Sequence, residues 1–327
     1  GDTDAFIVSF DSIGTRVWGT YLGGIGKDSA TACRADGNNG LIVVGTSSSP
    51  QLFSDSMPPI DPYTGGTDAF IARIDSAGHP TWSTWFGGIM DDHGTSVMVD
   101  SSGIWVSGYT ASTDGIATPG AFQDSLRGAE DACVLKLDAV GVRQWSSYFG
   151  GNNTDHAVEI TTVGNAAFIT GWTTSDSLVA ATDTLSHQLH RGGMEDALIA
   201  RVDSAGAVRW ATYLGDPLDD RAVGIARDKS GYINVIGTTL ADSLMATPEA
   251  FQMSRSDSTD LFITRLDTLG ARAWGTYFGS DNADAAMAIA VFDTSVVYFA
   301  GRTCSTNGIA LHGVSMDHQG GGSDAII

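Results

Sequence analysis

Gly65-Gly66-Thr67-Asp68-Ala69-Phe70-Ile71-Ala72-Arg73-Ile74-Asp75, followed after a short turn by Trp82-Ser83-Thr84-Trp85-Phe86-Gly87-Gly88, is the stretch on which the fold turns. Its opening Asp68-Ala69-Phe70-Ile71 is present earlier as Asp4-Ala5-Phe6-Ile7. It returns later as Asp131-Ala132-Cys133-Val134, Asp196-Ala197-Leu198-Ile199 and Asp260-Leu261-Phe262-Ile263, and once more as Asp324-Ala325-Ile326-Ile327. The spacings are 64, 63, 65, 64 and 64 residues. A tryptophan keeps the same beat at Trp18, Trp82, Trp145, Trp210 and Trp274, and a glycine at Gly45, Gly108, Gly171, Gly237 and Gly301. Three markers in phase over five copies define an internal repeat, which dictates architecture before any local propensity does.

Each copy carries four strand signals. In the second, residues 69–75 alternate apolar and polar, and Asp75-Ser76-Ala77-Gly78 reads as a turn with glycine where φ must be positive. Residues 80–86 carry the tryptophan, Gly87-Gly88 punctuates, and residues 95–100 and 104–109 flank the turn Ser101-Ser102-Gly103. A longer stretch rich in Ser, Thr, Asp and Gly leads to the next copy. Sheets of this kind, with no helix between them, bury both faces by stacking radially. The expected fold is therefore all-β: a β-propeller of four-stranded antiparallel blades, forming one domain over residues 1–327. Its repeats begin near 4, 68, 131, 196 and 260, with a stub at 324. An extended solenoid is the alternative, but its turns are usually shorter than this period.

Composition agrees. The chain has 327 residues, 42% of them hydrophobic, with 41 glycines. Only four of its 38 acids are Glu; the rest are Asp, a turn and cap residue rather than a helix former. A net charge of −21 argues against nucleic acid, which needs Lys and Arg to neutralise phosphates, and against anionic membrane surfaces. It would concentrate cations, so Ca2+ is the one cofactor left open. No apolar run reaches the length of a membrane span. Three cysteines, Cys33, Cys133 and Cys304, make no disulfide framework and read as small buried apolar residues. The chain begins at Gly1 inside a repeat, so a segment of a longer protein is expected.

The quoted motifs, with Thr118-Pro119-Gly120-Ala121-Phe122-Gln123 and Thr247-Pro248-Glu249-Ala250-Phe251-Gln252, resemble the SBBP repeat, the seven-bladed β-propeller repeat family. That resemblance spans essentially the whole chain. It implies a propeller in large secreted or surface-exposed bacterial proteins, often beside adhesion-type domains, and no catalytic activity. Five repeats and a stub depart from seven blades. Either the N-terminal strand pair completes the sheet begun by residues 285–302, closing five blades by strand exchange, or the chain is part of a larger ring.

By analogy with related propellers, the strand after Gly-Gly is the innermost, A, followed outward by B, C and D. On that phasing the long B-to-C loops, residues 47–66, 111–129, 173–194, 239–258 and 303–322, all emerge on the same face as the D-to-A loops. Loops on a rigid scaffold are where binding usually resides, so this face is the expected site of function. A recurring aspartate opens strand A: Asp28, Asp92, Asp155, Asp220 and Asp284. These acids either ring the axis as a cation or channel site or cap the Gly-Gly turn through backbone N–H groups. The next residue varies, as Ser29, His93, His156, Arg221 and Ala285, and variation in a regular frame is where specificity resides. His93 and His156 could converge, although two imidazoles alone make a weak metal site. The five repeat tryptophans are expected as core between blades, with a sugar-stacking platform as the rival role. His187, His190, His312 and His318 are expected as solvated loop residues.

No Gly-x-Ser-x-Gly elbow, phosphate loop or Cys-His constellation is present. The expected function is a non-catalytic extracellular structural, adhesive or ligand-binding module at the outer cell surface of a bacterium. Its partner would be a protein, a glycan, or neighbouring domains of the same assembly. The rivals are a carboxylate-based glycoside hydrolase or lyase on the same face, and an architectural spacer in a filament or giant surface protein.

Overall fold

The computed structural model describes residues 1–53, 57–177, 188, 190–256, 258–294, 296–309 and 322–326. Its strands fall into six antiparallel sheets. The first pairs β1 (Ala5–Phe10) with β2 (Arg16–Leu22). The second runs β3 (Asp28–Ala35), β4 (Leu41–Ser47), β5 (Asp68–Ile74) and β6 (Pro80–Phe86) in spatial as in chain order. The third repeats this with β7 (Asp92–Asp100), β8 (Gly103–Thr110), β9 (Asp131–Leu137) and β10 (Arg143–Phe149). The fourth has β11 (Asp155–Val163), β12 (Ala166–Thr173), β13 (Asp196–Asp203) and β14 (Val208–Leu214). The fifth has β15 (Asp220–Arg227), β16 (Ile233–Thr239), β17 (Asp260–Leu266) and β18 (Arg272–Phe278). The last has three strands, β19 (Asp284–Val291), β20 (Val297–Thr303) and β21 (Asp324–Ile326).

Local chemistry explains these elements. Between β5 and β6, Gly78 takes φ 87°, while Asp75 Oδ1 accepts the N–H of Ala77 at 2.9 Å and of His79 at 2.8 Å. Strand A starts three residues earlier than its alternation suggests, because it is bulged. The β7–β8 register shifts between Gly94 and Ser96, and β3, β15 and β19 shift at the equivalent place. A bulge reverses the in/out sense and hides the first residues from a period-two reading. The extra residue is used. Thr31 Oγ1 donates to Gly94 O at 2.6 Å, and Thr95 Oγ1 to Ala157 O at 2.9 Å, stitching β3 to β7 and β7 to β11.

By its internal contacts the chain divides into two compact units, residues 1–160 with 204–207, and residues 161–203 with 208–327. In the first, β7 packs over β3, β4 and β5, burying Ile42, Val44, Ile71, Val97, Val106 and Leu135. In the second, β15 packs over β12 and β13, and β19 over β15, β16 and β17. The core there includes Phe168, Trp210, Ile225, Val235, Phe262 and Tyr277.

Three expectations need adjustment. Strand exchange would have set the N-terminal pair beside β20, but β21 occupies that edge, with Gly301 opposite Ile326 and Thr303 opposite Asp324. Of the repeat tryptophans only Trp210 is fully buried; Trp18, Trp82, Trp145 and Trp274 are half-buried. Trp18, Trp82, Trp145 and Trp210 sit at the turn end of their sheets, against a neighbouring turn. Thus Trp18 Nε1 donates to Ser76 O at 2.9 Å, Trp145 to Ser204 O at 3.0 Å and Trp210 to Thr268 O at 3.0 Å. Finally, Cys133 is buried, but Cys304 is half-buried and Cys33 exposed. Cys33 lies on β3, and the sheet preceding it has only two strands, so no A or B strand covers that face.

Candidate functional site

The strand-A aspartates are frame, not surface. Asp92, Asp155, Asp220 and Asp284 are wholly buried and Asp28 nearly so. Each accepts the backbone N–H four residues upstream, in the Gly-Gly turn or its equivalent. Gly24 donates to Asp28 at 2.9 Å, Gly88 to Asp92 at 2.8 Å, Gly151 to Asp155 at 2.8 Å, Asp216 to Asp220 at 3.1 Å and Ser280 to Asp284 at 3.0 Å. Hydroxyls complete the cradle. Ser49 reaches Asp28 at 2.9 Å, Ser112 reaches Asp92 at 2.8 Å, Ser305 reaches Asp284 at 2.9 Å, and Thr239 bonds Asp220.

A second aspartate lies beside each of these, from the start of strand C. The first glycine of the Gly-Gly turn is wedged between the two acids. A Cβ at Gly87 would stand 2.6 Å from both Asp68 Oδ1 and Asp92 Oδ2, and Gly150 is similarly placed between Asp131 and Asp155, and Gly215 between Asp196 and Asp220. This close approach requires glycine at a backbone conformation any residue could adopt.

The glutamine of the Ala-Phe-Gln motif closes the knot from the B-to-C loop. Gln123 donates to Asp131 Oδ2 at 2.6 Å and accepts Gly150 N–H at 2.9 Å. Gln252 does the same with Asp260 at 3.0 Å and Gly279 at 3.1 Å, and Gln188, which follows Ser186-His187 rather than Ala-Phe, with Asp196 at 3.3 Å and Gly215 at 3.2 Å. Sequence reasoning quoted the motif without assigning this role. Its constant eight-residue lead over the strand-C aspartate was the available signal.

Burial raises several of these carboxyls. Asp68 is pushed up to about 6, by desolvation first and then by the charge of Asp92. Asp220 is pushed up to about 7, by desolvation, with Asp196 and Asp216 contributing. Asp92, Asp131, Asp196 and Asp260 move the same way for the same first reason.

The variable position beside each strand-A aspartate is half-buried at His93, His156 and Ala285 and exposed at Ser29 and Arg221, and within each unit the structure assembles it with residues not foreseen. His93 and His156 do converge, but on opposite faces of Tyr109. The ring centroids are 4.5 Å and 3.7 Å from Tyr109, with interplanar angles of 19° and 8°. A phenol ring therefore separates the two imidazoles. His156 Nε2 pairs with Glu130 Oε2 at 2.7 Å.

The second unit repeats the constellation with other chemistry. The Arg221 guanidinium lies 4.6 Å from the Trp172 ring centroid and forks onto Glu195, with Nη2 to Oε1 at 2.7 Å. Each rim trio thus combines an aromatic from the end of strand B, a basic residue from strand A and a glutamate just before strand C. Ser29 and Ala285 carry no such group. Among the described residues no cluster of three or more His, Cys, Asp or Glu could hold a metal ion. His190 is exposed, and its backbone carbonyl accepts from Gln188 Nε2 at 2.8 Å. His187, His312 and His318 lie outside the described residues. No helix among those residues is long and apolar enough to cross a membrane.

Comparison with known proteins adds two findings. The chain is 24% identical over 310 residues to a protein named regulatory protein FlaEY, from Caulobacter vibrioides. That match covers 89% of this chain and 32% of the relative, so the chain spans about a third of that protein's length. The family model of the SBBP beta-propeller repeat matches residues 209–244, from β14 through β16, so that stretch, with Trp210, Asp220 and Arg221, is similar to the SBBP repeat.

Proposed function

We propose that this chain is a non-catalytic binding module of a larger extracellular or surface protein, and that the rim trios on its loop-bearing face contact a protein partner. The observation that carries this reading is the contrast between frame and rim. The aspartates, glycines and glutamines keep one role in every copy that has them. The rim beside them changes from His-Tyr-His-Glu to Arg-Trp-Glu. Tyr, Trp and Arg are the side chains that dominate protein interfaces, because they supply large area and directed polar contacts together. The buried acids support a structural role, since their hydrogen bonds are spent on turn amides and loop glutamines. The raised pKa of Asp68 and Asp220 follows from that burial, without a substrate to act on.

The test is comparative capture from surface and secreted fractions of the native cells. The baits are the wild-type chain and a Tyr109→Ala/Arg221→Ala variant whose melting is checked first. A discrete partner retained by wild type and lost by the variant supports the reading. Identical captured sets from both baits would overturn it.

A further inference from the structure

The loop between the second and third sheets, residues 87–91, holds two large apolar side chains out in solvent. Ile89 is 63% exposed and its neighbour Met90 52%. A single exposed apolar residue is ordinary on a protein surface. An adjacent pair on a loop this tightly held is not. Met90 N–H donates to Ser112 Oγ at 3.0 Å, and the Asp91 carboxylate accepts the N–H of Thr67 at 2.9 Å. Asp91 O accepts the N–H of Ala111 at 2.9 Å. A Cβ at Gly66 would stand 2.7 Å from Met90 O, so the neighbouring B-to-C loop also lies against it. The loop is fixed in advance, and a partner need not order it on binding.

The repeat shows that the frame does not require these two residues. The same positions are Asn152-Asn153 in the loop after the third sheet and Asp281-Asn282 in the loop after the fifth. Both polar loops keep the turn. Gly151 donates to Asp155 at 2.8 Å, and Ser280 to Asp284 at 3.0 Å. Asn282 N–H donates to Ser305 Oγ at 3.0 Å, as Met90 does to Ser112. Asparagine thus serves the fold where Ile89 and Met90 stand. Apolar surface left in water gains the folded chain nothing, whereas covering it with a partner is favourable in proportion to its area.

The surroundings select the partner. The pair adjoins the aromatic stack of the first unit: the loop leads through buried Asp92 to His93, whose ring stacks on Tyr109. Burial raises the pKa of the Tyr109 phenol, and the charges of Glu130 and Asp91 raise it further. Met and Tyr are both enriched at protein interfaces. The segments that meet here, residues 64–68, 87–93 and 109–115, contain four aspartates and no Lys or Arg. Asp68 and Asp92 are buried, but Asp91 and Asp114 are exposed. Asp114 lies beside the pair, its Oδ1 accepting the N–H of Ile89 at 3.4 Å. An anionic border around an apolar pair attracts Lys and Arg and repels acids. The whole chain carries a net charge of −21, so a second copy would bring like charge to like.

We propose that the Ile89–Met90 loop is a docking site for a cationic segment of a protein partner, one that sets a large apolar side chain between Lys or Arg residues. The inference rests on the reading of this face as a protein-contact surface, and adds to it the chemistry of the partner.

The test pans a phage-displayed library of random dodecapeptides against the wild-type chain, with counter-selection on Ile89→Asn/Met90→Asn. Those substitutions copy the loop at 152–153, so the melting temperature should not change. Enriched peptides are then titrated by fluorescence anisotropy. Asp91→Asn/Asp114→Asn is the second variant, and it keeps the oxygens that accept Thr67 and Ile89. Val140→Asn, an exposed apolar residue of the opposite face, is the control. The expected peptides set Lys or Arg around Leu, Ile, Met or Phe. Their affinity should fall at least tenfold with Ile89→Asn/Met90→Asn, several-fold with Asp91→Asn/Asp114→Asn, and not at all with Val140→Asn. It should also fall as NaCl rises from about 50 to about 500 mM. The same peptide with its apolar residues replaced by Ser should no longer distinguish wild type from Ile89→Asn/Met90→Asn. No enrichment over the counter-selected variant, enrichment of acidic or neutral peptides, or binding indifferent to both loop variants would overturn the proposal. That failure is distinguishable from failure of the rim reading, which falls only if Tyr109→Ala/Arg221→Ala captures the same proteins as wild type.

Discussion

The buried carboxyls make stability depend on pH in an unusual sense. An aspartate whose folded pKa lies above its ordinary 3.8 binds protons more tightly folded than unfolded. Its contribution is fully favourable below about pH 4 and is lost as pH rises through the folded value. For Asp220, pushed up to about 7 by desolvation, one unit corresponds to about 1.4 kcal/mol. Raising pH from about 5 to about 8 should therefore remove about 2–3 kcal/mol through Asp220, and about 1–2 kcal/mol through Asp68. Asp36 and Asp75 move the other way, held low by turn amides against the effect of burial at Asp36, and their contribution is lost only below about pH 4. The protein should be most stable in mildly acidic solution. Urea unfolding followed by tryptophan fluorescence across this range measures the slope, and Asp220→Asn should flatten it. A flat profile, or stability that rises from pH 5 to pH 8, would refute the idea that these acids are buried charges in the fold.

Other outcomes follow from the same packing. Gly87→Ala should destabilise the first unit by about 2–4 kcal/mol, because its Cβ would meet two buried carboxylates, whereas Gly14→Ala meets nothing within 4 Å and is strained only by its φ of 83°. Thermal melts of the two variants decide this. Trp210→Ala should cost about 3–5 kcal/mol and the half-buried Trp145→Ala less, about 2–3 kcal/mol, in chemical denaturation. Gln123→Ala strands the Gly150 N–H and leaves Asp131 to the N–H groups of Arg127 and Gly128, and should cost about 1–3 kcal/mol, with faster amide exchange at Gly150.

Much of the frame was legible because repetition multiplies weak signals. One alternating heptad such as residues 69–75 is ambiguous, but five in phase are not, and β5, β6 and β8 lie within a residue or so of their expected bounds. The strand-A bulge was hidden because it reverses the alternation that reveals strands. The capping role of Asp92 and its equivalents was one of two readings open from spacing alone, and burial distinguishes them. The rim was read only in part: His93, His156 and Arg221 stood out by their variation in a regular frame, but their partners did not. Tyr109 and Glu130 lie 21 residues apart, and only the B–C pairing of Thr110 with Asp131 brings their neighbourhoods together. The strand-C cations Arg73, Lys136, Arg201 and Arg265 were visible in phase, but the consequence of lysine replacing arginine in one copy depends on where Trp105 sits.

Site-specific photocrosslinking tests the central claim most directly. A photoreactive amino acid is placed at exposed Ala129, beside Glu130 on the loop-bearing rim, and separately at exposed Ala77, in a turn of the opposite face. The parent protein is then irradiated in its native cells. A discrete adduct from position 129, absent from position 77 and lost when Tyr109→Ala and Arg221→Ala are added, is the predicted result. Adducts of equal yield from both positions, or none from position 129, would contradict a partner-binding rim.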